Sequence, residues 1–226
     1  MRVLTWNLYH GRADPPAGRD LLPEFSATLA SWEWDVALLQ EVPPWWPVPL
    51  ARASGASARM ALTSRNELLP LRRWIAERWP DLIKSGGGGC NAILVRGHRI
   101  TDHRRVRLRW RPERRVVHGV RLDDGTWMAN VHAQVRPHSE TRKDLARAGA
   151  AVLDWADGAP AILGGDLNIP HAEVPGFTHL DGRGVDHVVG RGFAAVGRRE
   201  IPDRGTLSDH PPVLVTVRQV TSGSAV

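Results

Sequence analysis

Hydrophobic residues recur along the chain with two different periods, and each period predicts one kind of secondary structure. A continuous apolar run such as residues 36–39 is typical of a strand buried on both faces of a sheet. Apolar residues spaced by three and four positions instead predict the buried face of a helix. The pattern predicts strands at residues 3–8, 36–39, 91–95, 104–111, 116–122, 126–132, 161–163, 185–189 and 213–217. It predicts helices at residues 21–32, 66–79 and 139–155.

One predicted strand carries a stripe of arginines. Between residues 104 and 111 polar and apolar positions alternate, so that one face of the strand would hold Arg105, Arg107, Arg109 and Arg111. Such a stripe suits either an edge strand that charge protects against aggregation or a surface that contacts phosphates. We favour the edge strand, because the sequence does not tie the stripe to a pocket.

Two loops have unusual compositions. The prolines and tryptophans of residues 43–47 favour a stiff loop that covers the core, and the alternative is that Trp45 or Trp46 stacks on a substrate ring. Residues 84–89 end in four glycines but lack the final Gly-Lys-Ser/Thr of a phosphate-binding P-loop. We interpret this second loop as a mobile rim.

Length and composition set the broad class. The chain of 226 residues fits one domain, which we place at residues 1–220 with a frayed tail at residues 221–226. The single cysteine, Cys90, excludes an intramolecular disulfide and argues against a cysteine-based zinc site. The sequence shows no membrane-spanning apolar run and no signal peptide. We therefore expect a cytoplasmic monomer without stable membrane insertion.

A net charge of +6 favours polyanionic partners, which include nucleic acid, phosphorylated metabolites and anionic membrane faces. Among the 30 basic residues, however, only Lys84 and Lys143 are lysines. This arginine bias, together with abundant alanine, glycine and proline, suggests a GC-rich coding sequence. The charge therefore gives weak support to a nucleic-acid partner.

Polar residues follow several predicted strands, at the ends where α/β proteins place their ligand sites. Asp166 and Asn168 come after a short buried strand and two glycines, and in extended chain residues i and i+2 point the same way. A carboxylate beside an amide can position and activate a water, although the same residue types also form turns. Glu41 ends another strand, where a carboxylate is costly unless it is hydrated or holds a cation.

These strand-end residues form a series along the chain, whose members are Asn7, Glu41, His132, Asp166, Asn168, Asp186, Asp209 and His210. The series resembles the endonuclease/exonuclease/phosphatase superfamily, which includes deoxyribonuclease I and exonuclease III. The resemblance runs in the family's order from Thr5 to Pro211. The matching segments are Thr5-Trp6-Asn7, Leu39-Gln40-Glu41-Val42, Asn91-Ala92-Ile93-Leu94, Asn130-Val131-His132, Gly165-Asp166-Leu167-Asn168, Val185-Asp186-His187-Val188 and Ser208-Asp209-His210-Pro211.

The resemblance implies a fold and a cofactor. The implied fold is an α/β four-layer sandwich, in which two packed mixed sheets are flanked by helices and the site lies at one end. The implied reaction is the hydrolysis of phosphate esters with Mg²⁺, or with Mn²⁺ or Ca²⁺. Hard divalent cations favour carboxylate and amide oxygens. By this resemblance the metal ligands would be Glu41, Asn7 and Asp209.

The resemblance also implies catalytic roles. Asp166 would activate or orient the attacking water, and Asn168 would fix its position. His210 would contact the phosphate, paired with Asp186 in a way that favours imidazolium. His132 would donate a hydrogen bond to the developing charge. The implied chemistry is in-line hydrolysis without a covalent intermediate, and the identity of the general base stays open.

Departures from the family's pattern argue against some of the activities found among its members. Tyr9 stands where exonuclease III-like enzymes carry aspartate, and His132 stands where they carry tyrosine. Residues 180–185 replace the aromatic stretch that shapes an abasic-sugar pocket. We therefore disfavour an abasic-site endonuclease. In deoxyribonuclease I an acidic residue pairs with the first of the two site histidines. The corresponding region of this chain, near Cys90, offers only Asn91.

The leading hypothesis is a Mg²⁺-dependent phosphodiesterase that acts on nucleic acid as an endonuclease or exonuclease. The first alternative is a phosphatase or phosphodiesterase for small or lipid phosphate esters. A second alternative is a non-catalytic binding protein on the same fold, which the complete set of core residues disfavours. The sequence leaves open the substrate, endo or exo action and the number of metal ions.

Overall fold

A computed structural model describes residues 1–64 and 66–220 of the chain, so the predicted tail at residues 221–226 lies outside the described residues. The strands are β1 (Arg2–Asn7), β2 (Val36–Val42), β3 (Ser57–Leu62), β4 (Cys90–Val95), β5 (Ile100–Arg109), β6 (Arg115–Leu122), β7 (Trp127–His132), β8 (Ala161–Asp166), β9 (Thr178–Arg183), β10 (Asp186–Arg191), β11 (Phe193–Ala195) and β12 (Val213–Gln219). The helices are α1 (Leu22–Ser31), α2 (Pro47–Ala53), α3 (Leu69–Arg78), α4 (Pro80–Ile83) and α5 (His138–Ala156). Short 3₁₀ turns span Tyr9–Gly11 and Lys84–Gly87.

The strands form two mixed sheets of six strands each, which confirms the predicted α/β sandwich. One sheet has the order β11-β12-β1-β2-β4-β3, and the other has the order β5-β6-β7-β8-β10-β9. Strands β1 and β2 are parallel, as are β7 and β8. Because parallel neighbours end at the same edge, the polar residues after these strands meet at one end of the sandwich.

The core explains why the central strands are apolar on both faces. Val3, Val36 and Leu38 belong to a buried cluster between the two sheets. Their alternate neighbours Leu4 and Leu39 pack in a second cluster with α1 and α2 on the outer face. A third cluster packs α5 against the other sheet. Helices thus cover both outer faces. The central strands are therefore buried on both sides, and their sequences are continuous apolar runs.

The predicted helix at residues 66–79 is shorter and more exposed than expected. Helix α3 begins at Leu69, with Pro70 in its first turn. Asn66 lies outside the helix and donates a hydrogen bond to the Gly89 carbonyl over 3.0 Å. The apolar spacing also does not mark a buried face, since no residue of α3 is buried and both Leu71 and Trp74 are exposed.

The arginine stripe lies on β5, an edge strand, as expected. The strict alternation fails, however, because the pairing register of β5 shifts between Arg107 and Arg109. Arg109 turns inward and donates from Nε to the Asp144 carboxylate over 2.9 Å. On the supposedly apolar face, Val106 and Trp110 are exposed. A bulge therefore changes which side chains share a face.

The glycines before Asp166 do not form a bend. Strand β8 continues through Gly164 and Gly165 to Asp166, three residues beyond the predicted end at residue 163. A side chain at Gly165 would place its Cβ 1.9 Å from the Val131 carbonyl oxygen. Glycine is needed there because its φ of 143°, which other residues rarely adopt, directs the Cβ position at β7.

The sequence pattern did not predict the short or exposed elements α2, α4, β3, β9 and β11. Strand β3 is mostly exposed at the edge of its sheet, so it lacks a buried period. Of the two loop tryptophans, Trp46 is buried against Phe25, with ring centroids 5.3 Å apart. This packing agrees with the expected role of residues 43–47 as a cover for the core. Residues 84–87 of the supposed glycine loop form a 3₁₀ turn.

Candidate active site

The strand registers bring three candidate residues into one row. His132 at the end of β7 pairs with Asp166 at the end of β8, and Asp166 pairs with Asp186 at the start of β10. Asn7 and Glu41 lie at the corresponding ends of β1 and β2 in the facing sheet. The two sheets thus deliver carboxylates, an amide and a histidine to one end of the sandwich.

Asp166 is buried at the centre of the cluster. Its Oδ2 accepts a hydrogen bond from Asn7 Nδ2 over 3.1 Å, and its Oδ1 accepts one from the Asn168 backbone N–H over 3.1 Å. Burial and the neighbouring Asp186 carboxylate raise the pKa of Asp166 to about 7, although His210 and Asn7 oppose the shift. This carboxyl group can therefore exchange a proton near neutral pH.

His210 and Asp186 form a charged pair. His210 Nδ1 lies 2.8 Å from Asp186 Oδ2, while Nε2 lies 3.9 Å from Asp166 Oδ2. Burial alone would lower the pKa of His210, but the hydrogen bond to Asp186 and its charge raise the pKa to about 9. His210 is thus an imidazolium at neutral pH, with its Nε2–H directed into the site. Asp186 Oδ1 is buried and has no hydrogen-bond partner among the described residues.

The loop that carries His210 is fixed to β1 at two points. Trp6 Nε1 donates to the His210 carbonyl oxygen over 2.9 Å. Ser208 Oγ donates to the Asn7 carbonyl oxygen over 2.6 Å and accepts the His210 backbone N–H over 3.0 Å. These bonds explain how residues about 200 positions apart in sequence hold a common geometry.

Glu41 carries the third carboxylate of the cluster. Its Oε2 lies 3.0 Å from His10 Nε2, and its Oε1 lies 3.8 Å from His132 Nδ1. Burial would raise the pKa of Glu41, but His10 first, then His132 and the Asn7 side chain, outweigh it and hold this pKa well below its usual range. Glu41 is consequently ionised at neutral pH.

His132 lies between the carboxylates of Glu41 and Asp166. Its Nε2 is 3.5 Å from Asp166 Oδ2, on the side opposite Glu41. Burial lowers the pKa of His132 well below its ordinary value, and the charge of Arg115 lowers it further. His132 is therefore a neutral imidazole, which can donate only one hydrogen bond.

Two candidate residues stand apart from the central cluster. Asn168 donates its Nδ2–H to the Ala133 carbonyl over 3.0 Å, and its backbone has a positive φ of 53°. Its contact with Asp166 runs through the backbone N–H. Asp209 is exposed, and its charge helps to raise the pKa of the adjacent His210. The structure thus places both beside the cluster rather than within it.

Sequence reasoning did not identify His10 and Arg115. His10 lies in the turn after β1, at a positive φ of 55°, and its ring reaches both Glu41 and the Gly88 carbonyl, the latter at 3.3 Å. Arg115 begins β6 and is buried, with its charge acting on His132. A histidine three residues after Asn7 was a usable signal, but Arg115 was indistinguishable in sequence from the nearby exposed arginines.

The donor set fits a hard divalent cation on the Glu41 side. Among the described residues, ligand atoms of Asp166, Asp186 and His210 lie within 4.8 Å of one another and could hold a metal ion. An imidazolium at His210 would repel a cation at that position, however. Glu41 offers an ionised carboxylate beside the Asn7 amide, and Mg²⁺ commonly takes one or two carboxylates and keeps several waters. The residues around Glu41 therefore suit a hard divalent cation better than the cluster around His210 does.

A search for transmembrane segments gives a negative result for the part of the chain that the structure describes. No helix there combines the length and the apolar character needed to cross a membrane. The longest of them, α5, has acidic and basic residues along its exposed side. Its buried face packs instead against the second sheet, through Leu145, Ala148 and Val152.

Similar folds occur among solved structures. An endonuclease/exonuclease/phosphatase from Beutenbergia cavernae has a TM-score of 0.74 at 21% identity, covering 100% of this chain and 73% of that one. A mannosyl-6-phosphatase from Bacteroides thetaiotaomicron has a TM-score of 0.70 at 14% identity, covering 96% of this chain and 99% of that one. TDP2 from Caenorhabditis elegans has a TM-score of 0.64 at 15% identity, covering 96% of this chain and 73% of that one. These identities establish a shared fold alone.

Sequence comparison identifies the family. A search of curated proteins gave no match. The family model described as Endonuclease/Exonuclease/phosphatase family, however, matches residues 4–210, a range that holds every residue of the cluster described above. Enzymes of this family are hydrolases that act on phosphoester bonds and depend on divalent metal ions. The chain belongs to the endonuclease/exonuclease/phosphatase family.

Proposed function

We propose that this protein is a Mg²⁺-dependent phosphodiesterase that hydrolyses nucleic acid by in-line attack of an activated water. The observation that carries the proposal is the pairing of Asp166 with His210, whose Nε2 lies 3.9 Å from Asp166 Oδ2. One group is a carboxyl with a pKa raised to about 7, and the other is an imidazolium with a pKa raised to about 9. A general base and a cationic phosphate contact are thereby available together near neutral pH.

Each residue then has a role in the proposed hydrolysis. Asp166 accepts a proton from the attacking water, and the Asn168 backbone N–H holds the Asp166 carboxylate in orientation over 3.1 Å. His210 donates its Nε2–H to a phosphoryl oxygen, while Asp186 keeps the ring protonated and oriented. His132 donates a hydrogen bond to the charge that develops on the phosphoryl group.

The metal site in this proposal consists of Glu41 and Asn7, with Asp209 at its edge. A divalent cation there would neutralise charge on the phosphate and on the leaving oxygen. The low pKa of Glu41 supports the assignment, because an ionised carboxylate is ready to bind a cation without first losing a proton. Mn²⁺ or Ca²⁺ would suit the same oxygen donors.

A second candidate is the hydrolysis of a small phosphate ester. A cavity of about 350 Å³ beside Glu41 favours it, because this volume lies at the lower end of the range of roughly 300–1,000 Å³ for small-molecule sites. The fold shared with a mannosyl-6-phosphatase is compatible with either candidate. We keep nucleic acid as the leading substrate on the net charge of +6, and a cytoplasmic monomer as the expected form.

A panel of substrates tests the proposal. Purified protein with Mg²⁺ would be incubated with plasmid, single-stranded DNA, RNA, bis(4-nitrophenyl) phosphate and a set of phosphate monoesters. We expect turnover of the nucleic acids and the diester, and loss of that turnover in Asp166→Asn. Selective turnover of monoesters would replace the leading candidate by the second. Failure to hydrolyse any of them would overturn the enzymatic proposal.

A further inference from the structure

The cavity beside Glu41 extends away from the catalytic pair. Glu41 and His132 belong to its lining, whereas Asp166, Asp186 and His210 do not. Its remaining walls come from loops after β1, after β3, around the 3₁₀ turn at residues 84–87 and before β6. The proposed water-activating group, Asp166, thus lies outside the cavity lining, across His132 from Glu41.

Three basic residues in the cavity wall carry unsatisfied hydrogen-bonding capacity. Arg115 is 5% exposed and donates from Nη2 to Glu113 over 2.7 Å, while its buried Nε has no partner among the described residues. Arg114 donates from Nη2 to the Leu62 carbonyl over 3.0 Å, and its buried Nε also lacks a partner there. Lys84 stands at the rim, exposed and without an ion pair in the described part of the chain.

The charges of the lining favour an anion. The lining holds two carboxylates, Glu113 and Glu41, and the proposed metal would neutralise the charge of Glu41. Glu113 is then the one carboxylate of the lining that opposes the charges of Arg114, Arg115 and Lys84. Arg12 also lines the cavity, but its charge is engaged by Asp81 at 3.1 Å. An anionic group in the cavity would form charge-assisted hydrogen bonds with the guanidinium groups of the lining.

We propose that the cavity receives the leaving group of the substrate and that this leaving group carries a second anionic group, a phosphate or a carboxylate. The inference rests on the proposed function, because in-line attack from the Asp166 side expels the leaving oxygen on the opposite side, towards Glu41 and the cavity. The second anion would bind Arg114 and Lys84, with Arg115 beneath them. Its source would be the next phosphate of a nucleic-acid strand or an acidic group of a small molecule.

Two matched aryl phosphodiesters test this assignment. Methyl 4-carboxyphenyl phosphate and methyl 4-carbamoylphenyl phosphate have leaving groups of nearly equal size, but only the first leaving group is anionic. We expect kcat/KM to be roughly 10-fold higher for the carboxylate, as for one charge-assisted hydrogen bond. Arg114→Gln and Lys84→Gln should each bring this ratio towards one. Arg52→Gln, which alters an exposed arginine of α2 outside the cavity, should keep the wild-type ratio.

A second pair of substrates separates the sources of the anion. Thymidylyl dinucleotides with and without a terminal phosphate report on a nucleic-acid strand, whereas the aryl pair reports on a small acidic molecule. A preference for the anionic member of either pair that Arg114→Gln removes supports the assignment. Equal kcat/KM within both pairs, or a preference that survives in both Arg114→Gln and Lys84→Gln, would overturn it.

A binding measurement keeps this inference distinct from the catalytic proposal. If no substrate is hydrolysed, the proposed function fails, and calorimetric titration of Asp166→Asn with the same aryl pair decides the inference. Tighter binding of the carboxylate, lost when Arg114→Gln is added, would still establish the anion site. Equal binding of the two diesters would exclude it.

Discussion

Gln40 and Asn130 join the two sheets directly below the site. Gln40 Nε2 donates a hydrogen bond to Asn130 Oδ1 over 2.8 Å, and both side chains are fully buried. Asn130 Nδ2 donates in turn to two backbone carbonyls of the facing sheet, both at 2.8 Å. Glu41 follows Gln40 in sequence, and His132 lies two residues after Asn130. This network therefore fixes the separation between Glu41 in one sheet and His132 in the other.

Replacing Asn130 by alanine should destabilise the fold. The substitution removes three buried hydrogen bonds, the one from Gln40 Nε2 and the two from Asn130 Nδ2 to backbone carbonyls, so we expect the free energy of unfolding to fall by about 2–4 kcal/mol. Urea denaturation measures the change. Thr101→Ala removes an exposed hydroxyl that donates to the Arg121 carbonyl, and it should change stability by less than about 0.5 kcal/mol. Equal effects of the two substitutions would contradict the role of the network.

Gly165→Ala should be among the most damaging single-methyl additions in the chain. The new Cβ would lie 1.9 Å from the Val131 carbonyl oxygen, so β7 and β8 would have to separate. We expect a loss of more than ~3 kcal/mol or failure to fold. Gly197→Ala is the matched control, since its φ of 74° is also positive but no atom lies within 4 Å of the new Cβ. Thermal unfolding of both variants would show whether the close approach, rather than the backbone angle, decides the outcome.

Asp186→Asn should lower the pKa of His210 from about 9 towards its ordinary value of 6.5. NMR titration of the histidine ring measures this shift, and Asp154→Asn, on the exposed side of α5, should leave it unchanged. Because folding raises the pKa of His210, the protonated ring stabilises the fold. This contribution is fully present below pH 6.5 and is lost as the pH rises through about 9. The stability difference between wild type and Asp186→Asn should shrink over that interval, and a constant difference would contradict the pairing.

Glu41→Gln should weaken the response of activity to Mg²⁺. The substitution removes the ionised carboxylate proposed as the main ligand, so the half-activating Mg²⁺ concentration should rise at least ~10-fold. Chelation by EDTA should abolish activity in the wild type, and added Mg²⁺ should restore it. Glu33→Gln, at an exposed position outside the site, provides the control. An unchanged Mg²⁺ dependence in Glu41→Gln would place the metal elsewhere.

Asp166→Asn and His210→Gln should each lower kcat by ~10²-fold or more, in line with the loss of a positioned base or of a charged phosphate contact. His171→Gln alters an exposed histidine outside the cluster and should leave kcat near the wild-type value. Steady-state kinetics on the best substrate of the panel measures the three effects. Full activity in both Asp166→Asn and His210→Gln would refute the assignment of the catalytic residues.

The sequence predicted those parts of the site that follow from buried strands. Glu41 and Asp166 each end an apolar run, and a charged residue in that position has few structural explanations. The parallel pairing of β1 with β2 and of β7 with β8 then brings the strand ends together. The pattern alone predicted strands buried on both faces of an α/β sheet, whereas the four-layer sandwich was implied by the resemblance to the family.

What the sequence could not show depends on contacts between distant segments. Arg115 is buried because it begins β6 beside β7, while its neighbour Arg111 is exposed, and no local pattern separates the two. The contact of His10 with Gly88 joins residues 78 positions apart. Helix α3 shows the opposite error, because its apolar spacing is helical but none of its residues is buried. Periodicity reports local geometry, and burial is decided by the rest of the fold.

The position of β12 beside β1 has a consequence for protein synthesis. Asn7 and Glu41 leave the ribosome well before His210 and before β12, the strand that pairs with the edge of β1. A nascent or prematurely terminated chain therefore carries one side of the site without the other, and its β1 edge is open to pairing with other chains. The cluster would be complete only after translation has passed His210, so a chain that stops before β12 would lack one side of the candidate site and would be prone to aggregate.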